Sequence, residues 1–312
     1  MKIGLDIMGG DFAPQATILG AIAAYNTLPA EHRLVLIGDK ELALSILREN
    51  NTDPGHFEFV HTTEVIAMGE HPTKAIVNKP DSSISVGFRL LKEGYIQAFS
   101  SAGNSGAMLV GAMFSVKAVP GILRPAITSF IPKLNGGLGI LVDVGANADC
   151  KPEFLLQFGI LGNLLAKYVY NIPEPRVALM NIGEEEEKGN ILCQAAYPLM
   201  KESTAFNFIG NVEGRDLFGD AADVYVCDGF TGNVILKLAE TFYEVTHSKG
   251  IKDDFFDRFN YERYGGSPIL GVNAPVVVGH GISTPEAIKN MVLLSKTMVE
   301  NSLVDKIKLA FQ

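Results

Sequence analysis

The sequence predicts an α/β protein: a mostly parallel sheet held between helices in three αβα layers. Apolar runs alternate with amphipathic helical stretches almost from end to end. Several of those runs, such as ILVDV at 140–144 and VYVC at 224–227, are continuously apolar, as strands covered on both faces are. Glycines gather where the runs end and the next helix begins.

In chain order the pattern gives strands at Lys2–Met8, Arg33–Gly38, Phe57–His61, Ala98–Ser101, Ala126–Ile131, Gly137–Val144, Arg176–Ile182, Ala205–Ile209, Val224–Cys227 and Ala274–Val278. Helical periodicity gives Gln15–Asn26, Lys40–Asn50, Ser82–Lys92, Ser105–Lys117, Pro152–Val169, Glu185–Glu202, Thr231–Val245 and Thr284–Asn301. With no repeat, low-complexity segment or long Pro/Gly/Ser linker, one continuous domain over 1–312 is expected. The least regular stretch, 246–267, carries five aromatic residues among charges and reads as a short helical excursion at about 244–264.

The 312 residues are 47% hydrophobic and 20% charged, which is globular rather than disordered. The net charge of −9 has the wrong sign for a general nucleic-acid footprint. Three cysteines (Cys150, Cys193, Cys227) without a CxxC spacing support neither a disulfide framework nor a structural zinc, and read as free thiols in a reducing compartment. The chain opens directly on a strand rather than on a secretory signal. No window reaches the ~18 apolar residues of a spanning helix, so a cytoplasmic location is expected.

Six loops hold the chemistry: Met8–Pro14, Ser101–Ala107, Asp143–Glu153, Asn181–Asn190, Asp228–Val234 and Gly279–Thr284. Strand carboxyl ends line one edge of an open parallel sheet, where ligands bind. Glycine allows close backbone approach there, and the N–H groups of the following helix start attract anions. A phosphate-sized site follows. Neither GxxxxGKS/T nor a GxGxxG after the first strand is present, which disfavours P-loop hydrolysis and ordinary dinucleotide binding. A GxSxG elbow and an HExxH helix are absent too.

Single residues stay open at this level. Lys188 is either a phosphate-binding cation or an i,i+4 partner of Glu184 on a helix surface. Asp11 and Asp143 either orient a ligand or cap a helix. His280 is either a general acid or a structural hydrogen-bonder.

Together, MKIGLDIMGGDFAP, SAGNSGA, LVDVGANADCKPE, NIGEEEEKGN, NFIGNVEGRDL, CDGFTGNVILK and YGGSPILGVNAPVVVGHGIS resemble the ordered signature of the phosphate acyltransferase (PlsX) family of bacterial phospholipid synthesis, over essentially the whole chain. The resemblance implies transfer of a long-chain fatty acyl group from acyl-[acyl carrier protein] to inorganic phosphate, giving an acyl phosphate for glycerol-3-phosphate acylation. It further implies a Rossmann-like fold related to phosphotransacetylases and the isocitrate dehydrogenase class, a homodimer, and no metal or organic cofactor. The family's lysine in EEEEKGN falls on Lys188 and its asparagine in GFTGN on Asn233, both implied to be catalytic. Gly9, Gly10, Asp11, Gly103, Asn104, Gly145, Asn147, Gly232 and His280 carry over as substrate- or phosphate-lining groups. A long apolar helical hairpin in family members is matched here by a shorter, more acidic stretch at about 244–264, which leaves at most a weak peripheral association with the inner face of the membrane. The nearest alternative is a phosphotransacetylase or phosphotransbutyrylase that uses acyl-coenzyme A. A metal-dependent dehydrogenase or a non-catalytic carrier-binding module fits the residues less well.

Overall fold

Strand β1 (Lys2–Asp6) is apolar because both of its faces are covered, and Ile3 and Leu5 are fully buried. In the computed structural model, which describes residues 1–312 with side chains for all but Tyr261, it is followed by α1 (Gln15–Tyr25), β2 (Arg33–Gly38), α2 (Lys40–Glu49), β3 (Phe57–His61), α3 (Pro72–Asn78), α4 (Ser83–Lys92), β4 (Ala98–Ser101) and α5 (Ser105–Gly111). Next come β5 (Ala126–Pro132), β6 (Leu138–Val142), α6 (Pro152–Tyr168), β7 (Arg176–Met180), α7 (Ile191–Glu202), β8 (Asn207–Val212), β9 (Val224–Val226), α8 (Gly229–Ser248) and α9 (Asp254–Asp257). The chain closes with β10 (Ser267–Leu270), β11 (Val276–Val278), α10 (Pro285–Glu300) and α11 (Leu303–Ala310). These elements group into two compact units, Met1–Ala118 with Tyr261–Glu300 and Val119–Asn260 with Asn301–Gln312, where the sequence suggests one continuous domain.

In the first unit the strands run β3-β2-β1-β4-β11-β10, parallel except for the β10–β11 pair. Neighbouring residues of β4 show that helices cover both faces. Phe99 packs edge-on to Phe88 of α4 at 5.1 Å between ring centroids. Ser100 points the other way and meets Ser295 of α10, with 2.7 Å between hydroxyls. The order turns back between β1 and β4, the place where an open α/β sheet leaves a crevice at its carboxyl edge.

In the second unit the order is β5-β6-β9-β7-β8, parallel except for β5–β6. Val142 and Val224 on adjacent strands face Gly162 of α6. Tyr225, one residue on, turns to the opposite face and is fully buried. Thus β6, β9 and β7 lie side by side and send their carboxyl ends to one edge.

Helix starts follow local capping. Asp39 accepts from the N–H groups of Glu41 and Leu42, Ser82 from Ser85, Asn104 from Ala107 and Asp228 from Thr231. Among the described residues no helix is long and apolar enough to cross a membrane.

The structure corrects three expectations. The helix expected from Glu185 begins at Ile191, because Asn190 caps Cys193 and Gly189 adopts a positive φ of 93°. The helix expected at Ser105–Lys117 loses α geometry after Gly111 and finishes as a π-helical turn at Ala112–Val116. In the irregular stretch the preceding helix is longer than expected: α8 runs on to Ser248, and Phe255 and Phe256 of α9, with Phe259 just after it, pack against Phe218 and Phe242.

Candidate active site

The loops after β6, β7 and β9 enclose an open cleft of about 1010 Å³ in the second unit. Residues 148–150 form one wall, Gly189–Leu192 with Gln194 a second, and Asp228, Phe230 and Thr231 a third. The amino ends of α7 and α8 meet there, each bringing N–H groups and partial positive charge. The Asp228 carboxylate is already engaged, accepting from the Thr231 N–H and hydroxyl at 2.8 Å each.

One buried carboxylate shapes the first wall. Asp143 accepts from the N–H groups of Ile127 (2.9 Å), Ala146 (3.3 Å) and Asn147 (2.6 Å), and from the Asn147 amide (3.0 Å). Burial pushes its carboxyl above the ordinary value, and these donors pull it back toward the charged form. Asn147 also donates to the Pro125 carbonyl, and its own carbonyl accepts from Gly229 N–H at 2.7 Å, which ties the loop to the start of α8. Gly232 is buried against the Asp143 carbonyl. Asn233 is exposed beside Gly145, its Oδ1 3.5 Å from where a Cβ on that glycine would stand.

Lys188 sits on the second wall's loop, one residue before Gly189, and is exposed. Its loop is not helical, so the surface pairing with Glu184 does not form. Glu184 lies 3.9 Å from Arg215, and Glu186 pairs with Lys201. Among the described residues no carboxylate partners the Lys188 ammonium. Lys188 and Asn233 flank the cleft rather than line it.

Cys150 does line it, but burial and the nearby Asp143 charge push its thiol up to about 12. Burial likewise raises Cys193 and Cys227. Neutral thiols of this kind are not nucleophiles near pH 7.

The remaining sequence-predicted residues lie on the strand-end loops of the first unit. Buried Asp6 accepts from the N–H groups of Met8 (2.9 Å) and Gly9 (3.1 Å) and from the Ser101 hydroxyl (2.6 Å). Burial raises its carboxyl as well. Gly9 presses on Gly103: a Cβ on Gly9 would lie 2.7 Å from the Gly103 nitrogen. Ser101 also accepts from that nitrogen at 2.9 Å. Gly10 and Asp11 meet the last loop, where Asp11 N–H donates to the Gly281 carbonyl at 2.8 Å. His280 there accepts at Nδ1 from Ile282 N–H at 3.4 Å. The Asn104 amide is engaged within the protein, donating toward the carbonyls of Ala67, Met68 and Glu70 and capping α5.

The predicted residues therefore form two sets. Lys188, Asn233, Gly145, Asn147 and Gly232 lie on the loops that border the second unit's cleft without lining it, while Gly9, Gly10, Asp11, Gly103, Asn104 and His280 lie on the loops at the carboxyl ends of β1, β4 and β11 in the first unit. Sequence reasoning missed Asp6 as a loop anchor, together with Asn181, Gln194 and Asn211, which hold the Lys188 loop. An acid at the end of an apolar run is a usable signal for Asp6. Asn211 gives none, because its role depends on a loop 26 residues away.

The family model described as "Fatty acid synthesis protein" matches residues 1–306. The phosphate acyltransferase of Dictyoglomus turgidum is 42% identical over 327 residues, covering 98% of this chain and 96% of that protein. Among solved structures, the EutD phosphotransacetylase from Staphylococcus aureus has a TM-score of 0.65 at 17% identity, covering 96% of this chain and 94% of its own. A phosphotransacetylase from Streptococcus pyogenes has a TM-score of 0.66 at 15% identity with the same coverage. At such identities these two structures bear on the fold alone. The signature loops, the mostly parallel α/β fold and the near full-length match to the phosphate acyltransferase agree: the chain belongs to the fatty acid synthesis protein family and is an acyl-transferring enzyme.

Proposed function

We propose that the protein transfers a long-chain fatty acyl group from the thioester of acyl carrier protein to inorganic phosphate, giving an acyl phosphate for phospholipid synthesis. The observation that carries the reading is Lys188: a cation with no carboxylate partner beside a cleft bordered by two capped helix starts, in a member of this family.

The chemistry asks little covalent work of the protein. A phosphate oxygen attacks the thioester carbonyl, the new C–O bond forms, and the C–S bond then breaks. The thiolate leaves and takes up a proton. The enzyme must bring two anionic partners together and stabilise the oxyanion between those steps. In this reading Lys188 neutralises phosphate and the growing charge. Asn233 donates to the carbonyl oxygen or positions phosphate. The backbone around Gly145, Asn147 and Gly232 supplies further donors, with its shape set by Asp143. Gly9, Gly10, Asp11, Gly103 and His280 are proposed substrate contacts, Asn104 is proposed to act only by shaping its loop, and His280→Gln tests a part in protonating the thiol. No metal or organic cofactor is required.

The test is release of free carrier protein from a palmitoyl thioester with and without phosphate, run beside palmitoyl-coenzyme A. Phosphate-dependent release from the carrier protein supports the reading. Turnover confined to the coenzyme A ester overturns the assigned donor, and release that ignores phosphate overturns the acceptor. The proposal extends to a homodimer in the cytoplasm, at most peripherally attached to the membrane. Sedimentation and vesicle flotation test those two points.

A further inference from the structure

The loop bearing Lys188 contains four consecutive glutamates, yet charge does not hold its shape. Glu184 and Glu186 turn outward to Arg215 and Lys201, pairs exposed enough to contribute little. Three neutral carboxamides grip the loop from within. Asn181 at the end of β7 donates to the Lys188 carbonyl at 3.1 Å, and its Oδ1 accepts from Ile182 N–H at 2.9 Å. Gln194, on the first turns of α7, donates to the carbonyls of Glu187 (2.8 Å) and Gly189 (3.1 Å). Asn211 of β8 reaches the Glu185 carbonyl at 2.8 Å.

Two details show how closely this grip is built. Gly189 has φ +93°, and a Cβ there would stand 2.1 Å from Asn181 Oδ1, so only glycine lets the amide close over the loop. Asn211 is 7% exposed, and its Oδ1 has no hydrogen-bond partner among the described residues. An amide half-satisfied in a strand costs stability that an apolar side chain would not. Its one bond goes to the Lys188 loop.

We propose that Asn181, Gln194 and Asn211 are positioning residues that present the Lys188 ammonium to the reacting phosphate. The inference rests on the reading of Lys188 given above. Neutral donors suit this role. A lysine or arginine gripping the same carbonyls would pair with the glutamates or compete for the anion, whereas an amide fixes the backbone and adds no charge of its own beside Lys188.

A double-mutant cycle tests it, using Gln194→Ala on the exposed start of α7 with Lys188→Ala. Phosphate-dependent release of carrier protein from the palmitoyl thioester is measured for the full-length wild type, both single variants and the pair. Thermal unfolding and amide exchange over 182–190 are followed in parallel. Gln194→Ala is expected to lower kcat/KM for phosphate roughly ten- to a hundredfold, since small misplacements of a catalytic group cost that much, and to speed exchange in the loop. In the Lys188→Ala background the same substitution is expected to change turnover less than about twofold, because nothing is left to position. Gln194→Glu, which swaps the donor for an acceptor, should be at least as slow as Gln194→Ala. Equal fold losses in both backgrounds, or a Gln194→Ala enzyme with wild-type turnover and exchange, overturn the clamp while leaving the role of Lys188 standing. Wild-type turnover in Lys188→Ala alone overturns both.

Discussion

Lys188 and Asn233 stand apart from other polar loop residues because their side chains are exposed beside the cleft, whereas Asn104, Asn147 and Asp228 are committed to internal hydrogen bonds. Lys188→Ala and Asn233→Ala are each expected to slow phosphate-dependent thioester cleavage by roughly 10²–10³, as loss of one oxyanion donor does, without shifting the unfolding midpoint. Single-turnover assays beside thermal melts check this. A second residue-scale effect lies at the opposite ends of the strands. Lys133, 2% exposed, bonds Asp223 at 2.6 Å, and Arg176 bonds the same carboxylate at 3.0 Å. Burial alone would raise Asp223, but the two cations overcome it and hold the carboxyl at about 2. Its folded pKa lies below the unfolded value of about 3.9, so its contribution is complete above that value and disappears as pH falls through about 2. Replacing it leaves the buried Lys133 ammonium only its longer, 3.4 Å contact with the exposed Asp220. Asp223→Ala should therefore cost about 3–5 kcal/mol at pH 7, with the difference from wild type shrinking between pH 4 and pH 2 in urea titrations.

At the scale of elements, the aromatic cluster decides how the chain between α8 and β10 behaves. Phe259 is 6% exposed and meets Phe218 at 5.4 Å, Phe242 at 5.5 Å and Phe255 at 5.2 Å. Arg258 adds bonds to the carbonyls of Lys133 and Gly137. Phe259→Ala should destabilise the protein by roughly 3–5 kcal/mol, and limited proteolysis should then cut first near 249–260. The sequence marks those phenylalanines but not their partner: Phe218 lies some forty residues away and becomes a neighbour only through packing. The α7 boundary failed for a related reason. Glutamates suit a first helical turn, so the sequence favours a start at Glu185, but Gly189 and the Asn190 cap place it at Ile191. Strand β10 escaped notice because four residues containing a proline carry little periodic signal, and pairing with β11 makes them a strand.

For the whole molecule, a ligand that binds only the folded state must stabilise it by mass action. Inorganic phosphate at about a hundred times its dissociation constant is expected to add about 2.7 kcal/mol, read as a rise in melting temperature that sulfate reproduces weakly and that Lys188→Ala abolishes. An unchanged melting curve across phosphate concentrations would contradict an anion site in the resting enzyme. The sequence by itself determined the layered α/β class, nearly every central strand, the glycine loops at strand ends and, through their order, the family. Those features are written in local periodicity, turn chemistry and short motifs, and they survive in one dimension. Only the tertiary structure decided that the loops divide between two compact units, that Asp6 and Asp143 are buried anchors rather than ligand groups, and that Lys188 is free of Glu184. Each of those outcomes depends on which carbonyls, N–H groups and charges from distant segments come within about 3 Å, and hydrogen bonding at that range leaves no periodic trace in the chain.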